Sequence, residues 1–223
     1  MKPAVFDEEA ARNYAQAPVR NVPGYAGLLR MTTQLLAERV PSAGRVLVLG
    51  AGGGLELQAF ATAHAGWRFD GVDPSPEMLA LATRTLGAHA ARVQLHRGTI
   101  EVAPDGPFDG ATCLLTFHFI PRAQRLETLR QLRRRLRPGA PFVLAHLSVP
   151  EHERATWLLR HAAFGAADDA DAATLEATRE ALATRLTVLS PEEEEAHLRD
   201  AGFTDVGLFY AGFAVRGWVA RAG

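Results

Sequence analysis

Gly50, Gly52, Gly53 and Gly54 stand within five positions, after the apolar run Val46-Leu47-Val48-Leu49 and before Leu55-Glu56-Leu57. Residues without a Cβ let backbone come close to a ligand, and a helix starting behind them points N–H groups at it. A second apolar run, Trp67-Arg68-Phe69-Asp70-Gly71-Val72, ends at Asp73, which falls 21 residues after Gly52. At that offset a carboxylate holds ribose hydroxyls. Loop, helix, strand and terminal acid in this order point to a ligand that contains adenosine.

A second group of candidates is Thr116-Phe117-His118, at the end of the apolar stretch Ala111 to Thr116. In an open α/β sheet, ligands sit outside the carboxyl ends of the strands, where strand order reverses. Should the chemistry need a proton acceptor, His118 is the first choice, because imidazole titrates nearest neutral pH. The competing reading is a loop histidine that only shapes the pocket. His146 and Tyr210 are weaker choices. Cys113, the single cysteine, reads as a small buried hydrophobe and excludes an intrachain disulfide or a CxxC metal site.

These residues need a scaffold of strands alternating with helices. Tyr25 to Val40 carries Leu28, Leu29, Met31, Leu35 and Leu36 at helical spacing, and Phe6 to Tyr14 also starts helically. The next helices are read after Gly54, from Ser75 to Leu86 with Pro76 in the first turn, and from Arg122 to Leu136. The arginines Arg130, Arg133, Arg134, Arg135 and Arg137 cluster at the C-terminal end of that last helix, where the dipole favours cations, and read as a solvated face. Arg92 to Arg97 and Pro141 to Ser148 supply further strands. Residues 151–187 form a helical insertion split at Gly165 to Asp169, with Trp157, Leu158, His161 and Phe164 near one face. Ser190-Pro191-Glu192-Glu193 is a capping box, so the glutamate run needs no metal. Phe203–Tyr210 and Phe213–Ala220, joined by Ala211-Gly212, read as a terminal hairpin.

Val48-Leu49-Gly50-Ala51-Gly52-Gly53-Gly54 resembles the first motif of class I S-adenosylmethionine-dependent methyltransferases, x-x-Gly-x-Gly-x-Gly. Gly71-Val72-Asp73-Pro74-Ser75-Pro76-Glu77-Met78-Leu79 resembles their second. A dinucleotide fingerprint would instead want a small residue where Leu55 stands. The likeness runs from residue 45 to 220, and the terminal hairpin separates it from nicotinamide-binding domains. It implies an α/β, Rossmann-like seven-stranded sheet, mostly parallel with an antiparallel terminal hairpin and helices on both faces. Residues 1–44 would be an N-terminal helical cover, 45–150 the cofactor-binding core, 151–187 an inserted lid or homodimer contact, and 188–223 the final helix and hairpin.

The resemblance further implies S-adenosyl-L-methionine as cofactor, S-adenosyl-L-homocysteine as product, a small-molecule methyl acceptor and no metal. Gly50, Ala51, Gly52 and Gly54 would cradle the cofactor, Asp73 and Pro74 would meet its ribose, and Met78 would wall its adenosine. Gly98, Thr99 and Ile100 would lie at the adenine, Thr116, Phe117 and His118 near the methyl, and Tyr25 in the cover. The sequence departs from the family at two positions: Val48 and Thr99 stand where an acid is frequent, so the resemblance implies that backbone N–H groups of Thr99 and Ile100 would take over the adenine contact. A narrower likeness links Val22-Pro23-Gly24-Tyr25 to carboxy-S-adenosylmethionine synthases, which bind a carboxylated cofactor through an arginine in the helical region where Arg179 lies. Synthesis of a modified cofactor, a non-catalytic binding protein and, remotely, a nicotinamide reductase are the competing functions.

At 223 residues the chain suits one domain with a full core. Its 24 basic and 25 acidic residues nearly cancel, which gives no reason to expect nucleic acid or an anionic membrane as partner. There is no leader pattern and no apolar run of the ~20 residues that a bilayer span needs. The expectation is a soluble cytoplasmic protein.

Overall fold

The computed structural model describes residues 17–223, so the expected helical start at Phe6–Tyr14 lies outside the described residues. Seven strands form one sheet: β1 Arg45–Leu49, β2 Arg68–Asp73, β3 Val93–Arg97, β4 Gly110–Leu114, β5 Pro141–Leu147, β6 Phe203–Gly212 and β7 Val215–Ala222. Their order is β3-β2-β1-β4-β5-β7-β6, parallel except for the β5–β7 and β6–β7 pairs. This is the expected Rossmann-like arrangement. The chain leaves β1 outward to β2 and β3, then crosses back to β4, so the switch point lies between the ends of β1 and β4.

Eight helices accompany the sheet among the described residues. They are α1 Ala17–Asn21, α2 Tyr25–Ala37, α3 Leu55–Ala63, α4 Pro76–Leu86, α5 Arg122–Arg134, α6 Arg154–Gly165, α7 Ala172–Arg185 and α8 Pro191–Asp200. The central strand explains the two-sided packing. Val46 and Val48 face the cluster built by α2 and α3 with Leu28, Leu36, Leu57 and Phe60. Leu47 and Leu49 face the opposite cluster with Leu129, Leu132 and Leu198. A strand covered on both faces must be apolar at every position, which is why β1 reads as a continuous run. No described helix is long and apolar enough to cross a membrane.

Three local expectations shift. The fourth strand stops at Leu114 rather than Thr116: Leu115 turns left-handed at φ 54°, its N–H still bonded to Ala145 O at 2.6 Å, and Phe117–Phe119 close a 3-10 turn. The hairpin turns at Phe213-Ala214, because Gly212 still pairs with Val215; a Cβ on Gly212 would collide with the Tyr210 hydroxyl. Arg135 leaves the solvated arginine face. Its guanidinium is buried, donating to Ala103 O at 3.3 Å and Gln131 O at 3.0 Å. Strand β6 lies at one edge of the sheet, with β3 at the other, and its register with β7 breaks between Thr204 and Gly207 and again between Leu208 and Tyr210.

Candidate active site

The loop after β1 is built from left-handed glycines: Gly50, Gly52 and Gly54 have φ of 82°, 49° and 84°. Side chains there would also clash. A Cβ on Gly50 would run into Thr116, and one on Gly54 would lie 2.9 Å from Ala82 Cα. The N–H groups of Gly50 and Ala51 bond Val72 O at 2.8 and 3.0 Å, which ties the loop to the end of β2. Helix α3 starts at once behind Gly54, so its first-turn N–H groups, without intrahelical acceptors, look into the cleft.

Asp73 closes the other side. Its Oδ2 accepts the Gly52 N–H and its Oδ1 the Ser75 N–H, both at 2.9 Å. Burial raises its pKa, while the Ser75 and Gly52 bonds pull it down. The sequence offset of 21 is thus realised as a direct clamp between acid and glycine loop. Ser75 caps α4 by accepting the Met78 N–H at 3.1 Å, and Met78 is buried. Left-handed Gly98 donates to Asp73 O at 3.1 Å and leads into Thr99 and Ile100. The Thr99 hydroxyl is engaged by Glu101, and Ile100 is buried. Tyr25, half-buried at the start of α2, borders a recess of about 420 Å³ shared with Leu55 and Gln58 of α3.

Glycine loop, first-turn donors and a carboxylate with lone pairs to spare fit S-adenosylmethionine. Gly50, Ala51, Gly52, Gly54 and Asp73 would hold it, with Thr99 and Ile100 beyond the ribose acid. Thr116 lies against Gly50, its hydroxyl bonded to Leu114 O at 3.1 Å. Phe117 turns inward instead, fully buried, with the Arg125 guanidinium 5.0 Å above its ring and His146 edge-on at 5.4 Å. His118 is also buried. Its Nδ1 accepts the Leu147 N–H at 3.3 Å and its carbonyl accepts Thr187 N–H at 2.9 Å. Burial, then the charges of His146, Arg125 and His161, push its pKa well below the ordinary range. The ring is neutral, with one nitrogen engaged.

Two buried groups beside the site escaped the sequence reading. Glu56, in the first turn of α3, accepts the Thr112 hydroxyl at 2.8 Å, and burial raises its pKa to about 8. Arg125 and Glu194 form an ion pair with neither side chain exposed. Arg125 also donates to the carbonyls of Ile120, Phe117 and Thr187, pinning the loop after β4 to the end of the insertion. His146 Nε2 lies 3.6 Å from Glu194 Oε2. A signal existed: Arg125 shares the helix face of Leu129, Leu132 and Leu136, and Glu194 that of Leu198. Cys113 is the inert hydrophobe expected, its thiol pushed up by burial.

A family profile described as a methyltransferase domain matches residues 46–139, from β1 to the turn after α5. Over 217 residues the chain is 30% identical to the carboxy-S-adenosyl-L-methionine synthase of Ectopseudomonas mendocina (strain ymp), covering 91% of this chain and 86% of that protein. The enzyme of the same name from Chromohalobacter salexigens is 29% identical over 218 residues, covering 92% and 78%. Among solved structures, an O-methyltransferase family protein from Burkholderia thailandensis matches with a TM-score of 0.71 at 15% identity, over 97% of this chain and 60% of that one. That likeness is one of fold, and this chain spans about three fifths of that protein's length.

Proposed function

This chain belongs to the class I S-adenosylmethionine-dependent methyltransferase family, and from that premise we propose that it transfers the cofactor's methyl group to a small-molecule acceptor. The observation that carries the reading is the Asp73 carboxylate clamped to Gly52 N–H, which fixes the two halves of the cofactor cleft relative to each other. When bound, S-adenosylmethionine supplies an activated methyl on a cationic sulfur. The protein's own task is then to align the acceptor and exclude water. The glycine loop and Asp73 orient the cofactor, and the loop Thr116–Ile120, held from behind by Arg125, forms the wall beside it. His118 is kept neutral there, so it adds no positive charge near the sulfonium, and with its acceptor nitrogen Nδ1 taken by the Leu147 N–H it serves as pocket wall rather than as a base.

The covers fit the same reading. Helices α1 and α2 stand before the core, and α6 and α7 follow β5 on the cleft side. No residue of α7 is buried, which suits a lid or a homodimer contact. A cytoplasmic setting agrees with the single, buried cysteine. The test is calorimetric titration with S-adenosylmethionine, followed by mass analysis of products against a panel of small acceptors. Loss of binding in a folded Asp73→Asn variant supports the site; unchanged binding removes it.

A second reading, synthesis of a carboxylated cofactor, is favoured by the relatives that match over most of their length and bear that name. Arg179 is half-buried on α7 and paired with Glu176 at 2.7 Å. Under this reading the cofactor extracted from native protein is heavier than S-adenosylmethionine by one carboxyl group in place of hydrogen. Recovery of the unmodified mass alone removes it.

A further inference from the structure

Glu56 is the second residue of α3, two positions after Gly54, and its side chain turns onto the sheet instead of out to water. Its Oε1 accepts the Thr112 hydroxyl at 2.8 Å. Thr112 of β4 pairs in register with Val48 of β1. Gly50 follows Val48 by two residues, about 7 Å along a strand. The carboxyl group is therefore held under the glycine loop, at the switch point between β1 and β4.

A buried carboxyl group normally faces a cation or a metal ion. Among the described residues Glu56 makes no ion pair, and no cation's charge offsets its burial. Cys113, beside Thr112, is a neutral thiol whose own ionisation burial and the Glu56 charge both oppose. Asp73 stands at the other side of the glycine loop, on Gly52 N–H. The side chains that α2 and β1 turn to this side of the sheet, Leu28, Thr32, Leu36, Val46 and Val48, are uncharged. Left without a counter-charge, Glu56 keeps its proton up to about pH 8. An apolar residue of similar volume would suit the fold as well or better, so an acid kept in this state at a ligand cleft points to function.

The charge that this acid lacks is the one that distinguishes cofactor from product. S-adenosylmethionine has a cationic sulfonium, whereas S-adenosylhomocysteine has a neutral thioether at the same place. We propose that Glu56 is a specificity-determining residue that reads the charge on the cofactor's sulfur. It is neutral in the free protein and gives its proton to solvent when the sulfonium is bound. It takes a proton back from solvent once methyl transfer has left the thioether. The cofactor is thereby held in preference to its product, which favours exchange after each turnover. This rests on the cofactor assignment of the methyl-transfer reading.

The test titrates the full chain with S-adenosylmethionine and with S-adenosylhomocysteine, by calorimetry in two pH 7 buffers of different ionisation enthalpy. Proton release is then read directly, a quantity that a merely structural acid would not move. Asp73 and the ligands' own α-ammonium groups, which titrate at about 7.7–8.0, are common to the parent and Glu56→Gln and cancel in the difference. The parent should release most of one proton more than Glu56→Gln on binding the cofactor, and no more than the variant on binding the product. Its preference for cofactor over product should exceed that of the variant about 10-fold. Because a proton leaves on binding, the parent-to-variant affinity ratio should rise from pH 6 to 8 for the cofactor and stay level for the product. Should Glu56→Gln not fold, Thr112→Val removes the bond that favours the carboxylate, and it should weaken the cofactor but not the product. Equal proton release by parent and Glu56→Gln, the same preference in both, or equal weakening of the two ligands by Thr112→Val overturns the proposal and leaves the cofactor reading standing. If neither ligand binds the parent, the cofactor reading fails and the proposal with it.

Discussion

Glu56→Gln isolates one buried acid and converts its environment into a slope. Glu56 is 7% exposed, with a single hydrogen bond, from Thr112. Burial lifts its pKa from an ordinary 4.5 to about 8, against the smaller downward pull of that bond. In the unfolded chain the group loses its proton near 4.5; in the fold it keeps it until near 8. Between those values the folded state binds more protons than the unfolded one, so stability is highest in acid and falls as pH rises. Each pH unit inside the window removes about 1.4 kcal/mol. From pH 5 to pH 8, with the curvature at both ends included, the loss is about 3.5 kcal/mol. Glutamine keeps the shape and accepts the Thr112 bond but does not titrate. Urea unfolding of both proteins at half-unit steps should therefore give curves that nearly coincide at pH 5 and diverge steadily, the variant being the more stable at pH 8. Other titrating groups, including the buried histidines, cancel in the difference. Parallel curves would falsify the buried, protonated state of Glu56.

Asp73→Asn removes charge-assisted hydrogen bonds worth about 1.5–3 kcal/mol and should weaken S-adenosylmethionine about 10- to 150-fold by calorimetry, with the fold retained by circular dichroism. Arg125→Met leaves Glu194 buried without its partner and should destabilise by about 3–5 kcal/mol in urea, whereas Arg125→Met with Glu194→Leu should recover much of that loss; a single variant as stable as the parent refutes the buried pair. His118 should show no ring titration by NMR from pH 8 down to 6, because burial disfavours its charged form. Cofactor affinity of His118→Gln should then track the parent across that range, and a histidine titrating near 6.5 would contradict the buried ring.

Local pattern made the centre of the molecule legible. The apolar run of β1, the glycine spacing, Asp73 and the Ser75 and Ser190 caps all depend on residues within a few turns of one another. Spacing also placed the switch point, because strand order follows from the crossovers. What escaped depends on distance along the chain. Glu56 meets Thr112 56 positions away, and Arg125 meets Glu194 69 positions away. Before α5 and α8 are packed together, each charge reads as a solvated side chain. His118 illustrates the converse. Its position after β4 was correct, but only the packed structure shows Leu147 N–H on its Nδ1.

The two register breaks in β6 bear on how copies of this protein meet in a crowded solution. A regular outer strand offers evenly spaced N–H and C=O groups on which another strand can grow, the first step toward fibres. Here that spacing is interrupted twice, and Asp205 adds a left-handed kink at φ 51°. Leu208, 55% exposed, projects from the interrupted stretch rather than from a flat ladder. This outer strand therefore makes a poor template, and this end of the sheet carries a built-in guard against edge-to-edge polymerisation.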